Sequence, residues 1–497
     1  MTSLWLDRPD IPRFPAPPAG ASYDVVVVGA GLTGLTTALL LARAGCTVAV
    51  LEARGVGAAT TGNTTAKVSL LQGTKLSRIS RHHPASVVQD YVEASSEGQA
   101  WLTRYCADHG IATQRRDAFT YATTEEGLAA VEAEVEAAGA AGLPVELVPD
   151  AGLPYPTLGA ARLADQVQLD PMDVLVQLAR DVIEHGGEIY GGSRVVDVAS
   201  GKPCTVHTED GTVRADRVVL ATGIPVLDRG GFFAGLEPQR SYALAFAVPG
   251  TVPTGMYLSA DSPTRSLRTA PGADGELLLV GGSGHTVGRA ESPRGHVEEL
   301  MAWTTEHFPG AELTHSWSAQ DYRPVDDLPV VGPLTATNDR ILVATGYDKW
   351  GMTSAVAMSL ALSAQLLGGN IPWAHSLRSW RSGALRGAAS AVRLNAEVAA
   401  RLATDWAKPR PHSRPGVRPP EGEGRVELDG VRPVATSTVD GTTRRHSAVC
   451  PHLGGILSWN DAERSWDCPL HGSRFAADGS VLEGPALCGL RALTPDP

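Results

Sequence analysis

The sequence is poor in cysteine and has no long apolar run. Only six of its 497 residues are cysteine. Cys46, Cys106, Cys204 and Cys488 are scattered singly, unlike the spaced cysteines of a disulfide-rich secreted domain. No stretch reaches the roughly 18 apolar residues that a membrane helix requires, and residues 1–18 lack the apolar core of a signal peptide. These absences predict a cytoplasmic protein without a membrane span.

Positive charge is also in short supply. The chain carries 42 Lys and Arg against 54 Asp and Glu, which gives a formal net charge of −12. This acidic balance argues against a nucleic-acid partner, because the phosphate backbone would be repelled. The 43% hydrophobic and 19% charged residues are typical of a globular protein. The length predicts about two to four domains.

The other two cysteines lie with two histidines near the C-terminus. Residues 450–475 read CPHLGGILSWNDAERSWDCPLHGSRF, which is Cys-x-His, fifteen residues, then Cys-x-x-His. In a Rieske-type [2Fe–2S] cluster one iron takes two thiolates and the other takes two imidazoles. A zinc site is the alternative, but zinc fingers pair Cys with Cys and His with His, whereas each pair here is mixed. We therefore predict Cys450, His452, Cys468 and His471 as cluster ligands.

The flanks of this pattern, HLG and CP-x-HGS-x-F, resemble the Rieske family over the last part of the chain. Respiratory members carry an extra cysteine in each loop, but Gly455 and Leu470 occupy those positions here. Ser473 keeps a hydroxyl near the cluster, and Phe475 lacks the second one. Fewer donors predict a potential in the lower half of the roughly −150 to +300 mV Rieske range.

The residues after the cluster motif exclude a Rieske oxygenase. Such enzymes need a mononuclear iron held by two His and one carboxylate. Only 26 residues come after His471, none of them His, and no Asp/Glu-x₂-His-x₃₋₄-His pattern occurs elsewhere. The cluster must therefore exchange electrons with another centre.

A glycine-rich turn near the N-terminus predicts a dinucleotide site. Gly29, Gly31 and Gly34 form GxGxxG between a strand over 24–30 and a helix over 33–44. Such glycines allow the tight turn, the approach of a pyrophosphate and close helix packing. Glu52 ends the next strand, where a carboxylate can accept ribose hydroxyl bonds. This motif alone leaves FAD and NAD both open.

Three further segments favour FAD. DRVVLATG (216–223) is a buried strand and turn, and RILVATGYDKWGMTSAVA (340–357) places a helix N-terminus where it can stabilise negative charge on a reduced flavin. AATTGNTTAK (58–67) supplies small hydroxyl residues for phosphate and ring contacts.

Residues 22–400 are similar to the D-amino-acid-oxidase-like FAD-dependent oxidoreductases, and in particular to bacterial flavoproteins with a C-terminal Rieske domain. The segments that carry this resemblance are TTGNTTAKVSLLQG (60–73), RSLRTAPGADGELLLVGGSGHTVG (265–288), WSAQDYRPVDDLPVVGP (317–333) and ATGYDKWGM (344–352). The resemblance implies an α/β FAD-binding (Rossmann-like) domain with a mixed-sheet substrate domain, plus a small all-β Rieske domain.

The expected boundaries follow from the resemblance and from composition. They are an N-terminal arm over 1–21, an oxidoreductase over 22–404, a Pro-rich linker over 405–424 and the Rieske domain over 425–497. Within the oxidoreductase, the FAD-binding part takes about 22–100, 155–230 and 320–404, and the substrate part takes about 101–154 and 231–319.

The resemblance also implies site residues. The predicted FAD contacts are Gly29, Gly31, Gly34, Glu52, Arg54, Thr61, Thr65, Lys67, Val195, Thr222, Gly223, Gly346, Trp350, Gly351 and Met352. Because Arg pairs with carboxylates in a bidentate manner, Arg268 is the predicted substrate contact, with Tyr242 and His285 lining the pocket. The alternatives to Arg268 are Arg265, Arg240 and Arg323.

The predicted function is oxidation of a small amine or amino-acid-like substrate by hydride transfer to FAD. Single electrons would then reach the cluster and an external acceptor, which could be a ferredoxin-like protein, a quinone or O₂. Two alternatives remain: an external donor charges the cluster for a reduction or for O₂ activation, or the chain is an electron carrier without its own substrate. A Pro-rich linker would let the cluster serve its own flavin or that of a neighbour in a homo-oligomer.

Overall fold

The computed structural model describes residues 1–273, 275–336, 338–380, 388–408, 410–412 and 417–493. The helices in these residues, in chain order, are α1 Leu32–Arg43, α2 Lys75–His82, α3 Ala85–Asp108, α4 Glu125–Ala140, α5 Pro171–Glu184, α6 Pro293–His307, α7 Gly351–Leu366 and α8 Ala388–Ala407. Short 3₁₀ helices span Thr61–Asn63, Phe232–Gly235 and Pro372–Leu377.

The strands of the described residues follow the same order. In the oxidoreductase part they are β1 Ser22–Val28, β2 Val48–Leu51, β3 Lys67–Val68, β4 Thr113–Ala122, β5 Glu146–Val148, β6 Gly159–Leu169, β7 Glu188–Tyr190, β8 Val195–Ala199, β9 Cys204–Thr208, β10 Gly211–Leu220, β11 Leu236–Ala247, β12 Met256–Ser259, β13 Arg265–Gly272, β14 Gly275–Thr286, β15 Glu312–Pro324, β16 Val330–Thr335 and β17 Asn338–Thr345. In the C-terminal part they are β18 Gly424–Asp429, β19 Arg432–Val439, β20 Thr442–Ser447, β21 Ser458–Asn460, β22 Ser465–Asp467, β23 Arg474–Ala476 and β24 Val481–Glu483.

The first sheet has a parallel centre. Its strand order is β16-β17-β10-β1-β2-β7, and β1 pairs in parallel with both β2 and β10. Val25 to Val28 are buried, as expected of a strand that is covered on both faces. The chain leaves β1 at the edge where β2, β10 and β17 also end, so the glycine turn and the segments after these strands meet there.

The second sheet is mixed and carries the other wall of the site. Its order is β15-β11-β14-β13-β12-β4-β6-β3, with β12 and β4 parallel and the neighbouring pairs antiparallel. The Ala/Glu-rich sequence of residues 87–142 predicts a largely helical segment, and this prediction is wrong for Thr113–Ala122. That segment is a strand that pairs with β6 and β12. Its apolar and polar residues alternate only weakly, so these two neighbours specify the strand and the local sequence pattern does not.

The C-terminal part consists of two small antiparallel sheets, β18-β19-β20 and β21-β22-β23-β24. Its core is built around the buried side chains of Trp466, Phe475 and Leu457. The first cluster-ligand loop follows β20, and the second lies between β22 and β23. Both loops are therefore anchored on strands.

The predicted linker does not begin as an irregular segment. Helix α8 continues to Ala407, three residues into the range 405–424, and residues 409 and 413–416 of that range lie outside the described residues. None of the helices in the described ranges has the length and apolar character needed to cross a membrane.

Candidate cofactor and substrate sites

The glycine turn after β1 is shaped for close approach. Gly29 has φ +106°, and a Cβ at Gly34 would lie 1.9 Å from the Gly29 carbonyl oxygen. Helix α1 starts at this turn without a side-chain cap, so its first amide groups can receive an anion. The Glu52 carboxylate is oriented by amides of Ala30 and Arg54, each 2.8 Å away. These features fit the diphosphate and ribose of a dinucleotide.

A cavity of about 480 Å³ runs from this turn to the mixed sheet. It is lined by all of the predicted FAD contacts except Gly34 and Gly346. Gly34 instead allows α1 to pack on the turn, and a Cβ at Gly346 would lie 2.6 Å from the Pro324 ring. Helix α7 begins at the far end of the cavity, also without a side-chain cap, which suits the electron-rich edge of a flavin.

Tyr242 and His285 form a pair, but His285 does not line the cavity, and the Tyr242 side chain packs in the core between the mixed sheet and α6. Tyr242 lines the cavity, and its hydroxyl lies 3.0 Å from His285 Nε2. The Nδ1 of His285 lies 3.0 Å from the Thr286 carbonyl, so Nδ1 carries the proton and Nε2 accepts from Tyr242. Burial lowers the pKa of His285. The histidine therefore orients the tyrosine hydroxyl and stays uncharged.

The predicted arginine is placed elsewhere. Arg268 does not line the cavity, because its guanidinium donates to the backbone carbonyls of Thr65, Ala66, Leu169 and Thr269. This placement favours a structural role for Arg268 over contact with a substrate. The three alternatives are paired with carboxylates: Arg265 with Glu299, Arg240 with Glu463 and Arg323 with Asp327.

A cation on the cavity wall, Lys349, was not predicted from the sequence. It precedes α7 in left-handed conformation, with φ +72°, and its amide donates to the Asp321 carboxylate. A Cβ at Gly284 would lie 3.4 Å from Lys349 Nζ and 2.8 Å from Ser241 Oγ, so the ammonium faces the mixed sheet close to Ser241. Burial lowers the pKa of Lys349. The sequence feature that could have identified it is a lysine placed between the turn on the flavin side and the start of the next helix.

A second lysine on the wall, Lys67, is buried. Its Nζ donates to the Tyr257 carbonyl at 2.6 Å and to the Ser266 hydroxyl at 2.7 Å. Burial, with a smaller effect from Arg268, lowers the pKa of Lys67 to about 7.

The four predicted cluster ligands come together in two loops. Each loop closes on its own cysteine: Cys450 N donates to Gly455 O at 2.8 Å, and Cys468 N donates to Ser473 O at 2.8 Å. These tight turns use positive φ at Gly454 and at Gly472, which glycine adopts without strain.

The ligands form a cysteine pair and a histidine pair. The two buried thiols face each other, and the neighbouring Cys468 thiol lowers the pKa of Cys450. The rings of His452 and His471 are 5.1 Å apart. The Nδ1 of His471 is buried without a hydrogen-bond partner in the described residues, which leaves it free to bind iron.

This arrangement fits two irons better than one zinc. Within the described ranges, no three His, Cys, Asp or Glu side chains are placed to hold a single metal ion. A [2Fe–2S] cluster of the Rieske type needs a thiolate pair on one iron and an imidazole pair on the other, which is the pairing observed.

The histidine pair faces the oxidoreductase part of the chain. His452 Nε2 lies 2.9 Å from Asp228 Oδ1, and the Phe233 ring meets the rings of His452 and His471 at 5.5 Å and 5.1 Å. Beside them, Gln320 Nε2 donates to Gly472 O at 2.8 Å. The ligand loops are therefore docked on residues next to the flavin cavity of the same chain.

The carboxylate of Asp228 should tune the cluster. Replacing Asp228 by asparagine removes a negative charge from the outer nitrogen of a ligand, so the midpoint potential should rise. A loss of about 1 kcal/mol in the interaction between this carboxylate and the ligand corresponds to a shift of roughly 40 mV in the midpoint potential for one electron. A redox titration followed by electron paramagnetic resonance measures the midpoint potential of each variant.

The matched control is Asp216→Asn, which makes the same charge change at an exposed position of β10. Equal potentials in the D228N and D216N chains would contradict a direct effect of Asp228 on the ligand.

Comparison with known proteins agrees with both sites. The family model described as FAD dependent oxidoreductase matches residues 24–365, and the Rieske [2Fe-2S] domain model matches residues 418–494. The chain is 31% identical to the Bacillus subtilis protein named "Putative Rieske 2Fe-2S iron-sulfur protein YhfW", over 99% of this chain and 98% of that protein. It is 26% identical to a glycine oxidase of Bacillus licheniformis, over 73% and 98% of the two chains.

Solved structures share the fold. Glycine oxidase from Geobacillus kaustophilus superposes with a TM-score of 0.60 at 19% identity, covering 71% of this chain and 96% of its own. An L-amino acid deaminase from Proteus vulgaris superposes with a TM-score of 0.61 at 18% identity, covering 75% and 97%.

Proposed function

The chain belongs to the family of FAD dependent oxidoreductases, and from this premise we propose that it oxidises a small amine or amino-acid-like substrate and passes the electrons through its cluster to an external acceptor. The predicted fold class and the predicted cofactors, FAD and a [2Fe–2S] cluster, are confirmed. The substrate, the direction of electron flow and the partner are part of the proposal. So is a cytoplasmic location.

The observation that carries the proposal is a cation and a hydroxyl on the same stretch of cavity wall. Lys349 Nζ and Ser241 Oγ both lie beside Gly284, and all three residues line the cavity that contains the predicted flavin contacts. An ammonium in a water-poor pocket attracts a carboxylate strongly, and the hydroxyl can hold a second oxygen or the amine. This pattern suits a substrate that carries both an amine and a carboxylate.

When bound, flavin accepts a hydride and the cluster carries single electrons. The contribution of the protein's own residues is to orient the substrate. Lys349 would fix the carboxylate, the neighbouring Ser241 hydroxyl would fix the other end, and the mixed sheet would exclude water. Such positioning supplies much of the rate when no general base is required.

The test is anaerobic mixing of the holoprotein with a panel of amines and amino acids. Bleaching of the flavin absorbance, followed by the paramagnetic signal of the reduced cluster, is the expected result. Bleaching only by NAD(P)H or by a reduced ferredoxin would instead support a reductase or an electron carrier without its own substrate.

The control is Cys468→Ser, which removes one cluster ligand. This chain should bleach with the same substrates but give no cluster signal. Loss of bleaching in C468S protein that retains its FAD would contradict the proposed order, in which the flavin is reduced first.

A further inference from the structure

The wall of the flavin cavity includes residues from the Rieske domain. Leu482, Glu483, Gly484, Ala486 and Leu487 line the same cavity as the glycine turn. They belong to β24 and to the segment after it, which is bonded to the second cluster loop because Ala486 N donates to Ser473 Oγ at 3.0 Å. The oxidoreductase part therefore does not enclose its cofactor site alone.

Direct contacts fix this segment, residues 482–487, against the oxidoreductase part. Arg194 donates to the Val481 carbonyl at 2.8 Å, and the Tyr322 hydroxyl lies 3.4 Å from the Gly484 carbonyl. A Cβ at Gly484 would lie 3.8 Å from the Ile224 side chain. Arg194, Tyr322 and Ile224 all line the cavity themselves, so these contacts are made at its rim.

The position of the segment indicates which end of the cavity it covers. Arg194 follows Ser193, whose amide donates to the Glu52 carbonyl at 2.8 Å, and Glu52 is the residue placed for a ribose. The start of the segment thus lies at the nucleotide end, whereas Gly484 contacts Tyr322, which follows the Asp321 that accepts from the Lys349 amide.

We infer that residues 482–487 of the Rieske domain are part of the FAD-binding site, so that FAD is held firmly only while the Rieske domain is docked. The apolar side chains of Leu482 and Leu487 would cover the nucleotide and keep water from it. This inference concerns retention of the cofactor and does not depend on the substrate or on the direction of electron flow.

The experiment measures FAD release from full-length variants. Leu482→Ala and Leu487→Ala each remove three carbons from the cavity wall, which should speed FAD release about tenfold. Release is followed by the rise in free-flavin fluorescence on dilution. Val431→Ala is the matched control, because Val431 is 88% exposed on a hairpin of the same domain.

Iron and sulfide content must equal that of the wild type, which shows that the Rieske domain is folded. Release rates of L482A and L487A equal to that of V431A would overturn the inference.

A second measurement uses the unmodified chain and does not depend on the variants folding. Amide hydrogen exchange is compared between FAD-loaded protein and protein from which FAD has been removed. Slower exchange at residues 482–487 in the loaded form is expected. Protection at the glycine turn without any change at residues 482–487 would overturn the inference.

Discussion

Replacing Lys349 by methionine is expected to lower kcat/KM for an amino-acid substrate by about 10- to 100-fold. Methionine keeps the length of the side chain and removes the charge. Hydrogen bonds to charged groups contribute roughly 1.5–3 kcal/mol, and the ammonium here faces a cavity walled by protein. Steady-state kinetics with the best substrate from the panel measure the effect, which should fall mainly on KM because the charge contacts a part of the substrate that does not react.

Two comparisons make the K349M result specific. Lys349→Arg keeps the charge and should retain most of the activity. An amine of the same shape without a carboxylate should be oxidised by wild type and K349M at similar kcat/KM. An equal loss for both substrates would show that methionine disturbs the flavin site and would contradict a role for Lys349 in carboxylate binding.

The features that could be predicted from the sequence are each contained in a short stretch of chain. The glycine turn, the strand before it and Glu52 lie within 30 residues of one another, and their geometry follows from backbone rules that any neighbour must obey. The cluster motif is likewise carried by two short loops whose turns close on their own cysteines. Such patterns specify structure without knowledge of the rest of the fold.

Contacts between distant segments could not be read in this way. Asp228 meets His452 across 224 residues of chain, and nothing in the sequence near Asp228 points to a metal ligand. The strand Thr113–Ala122 was missed because its identity depends on β6 and β12. Residues 482–487 reach the flavin cavity only because the Rieske domain docks there.

The arginine prediction illustrates the same limit. A family pattern says that an arginine holds a carboxylate, but only packing decides which carboxylate it meets. Arg240 was a candidate for a substrate contact, and the structure pairs it with Glu463 of the Rieske domain. The charge complementarity was anticipated, whereas the partner belongs to another domain.

Replacing Arg240 by methionine is expected to loosen the docked Rieske domain by about 3 kcal/mol. Arg240 is 2% exposed, its Nη2 donates to Glu463 Oε1 at 2.6 Å, and Arg474 shares that carboxylate at 2.9 Å. Removing one partner of a buried ion pair costs about 3–5 kcal/mol, because a charge stays buried without full compensation. The remaining bond to Arg474 places the expected value at the lower end.

Denaturant unfolding, followed by the visible circular dichroism of the cluster and by flavin fluorescence, measures the loss. Arg115→Met is the matched control, since Arg115 pairs with Asp165 on the surface with both side chains more than half exposed, and such pairs contribute about 0–1 kcal/mol. R240M and R115M chains that unfold at the same denaturant concentration would contradict a structural role for the Arg240 pair.

Low pH should destabilise the docked Rieske domain in the same way as Arg240→Met. Burial alone would raise the pKa of Glu463, but Arg240 and Arg474 outweigh it and lower that pKa to about 2, below the ordinary value of about 4.3. A carboxyl with a lowered pKa stabilises the fold above its unfolded pKa and loses that contribution as pH falls toward its folded pKa. The Rieske domain, followed by the circular dichroism of its cluster, should therefore unfold at a lower denaturant concentration as the pH falls from about 4 to 2.

This acid dependence should be smaller in Glu463→Gln. The contribution of Asp348 should remain in that variant, because Lys75 and Arg78 lower the pKa of Asp348 to about 2 against the effect of burial. Since residues 482–487 reach the flavin cavity only while the domain is docked, FAD release should accelerate over the same pH range.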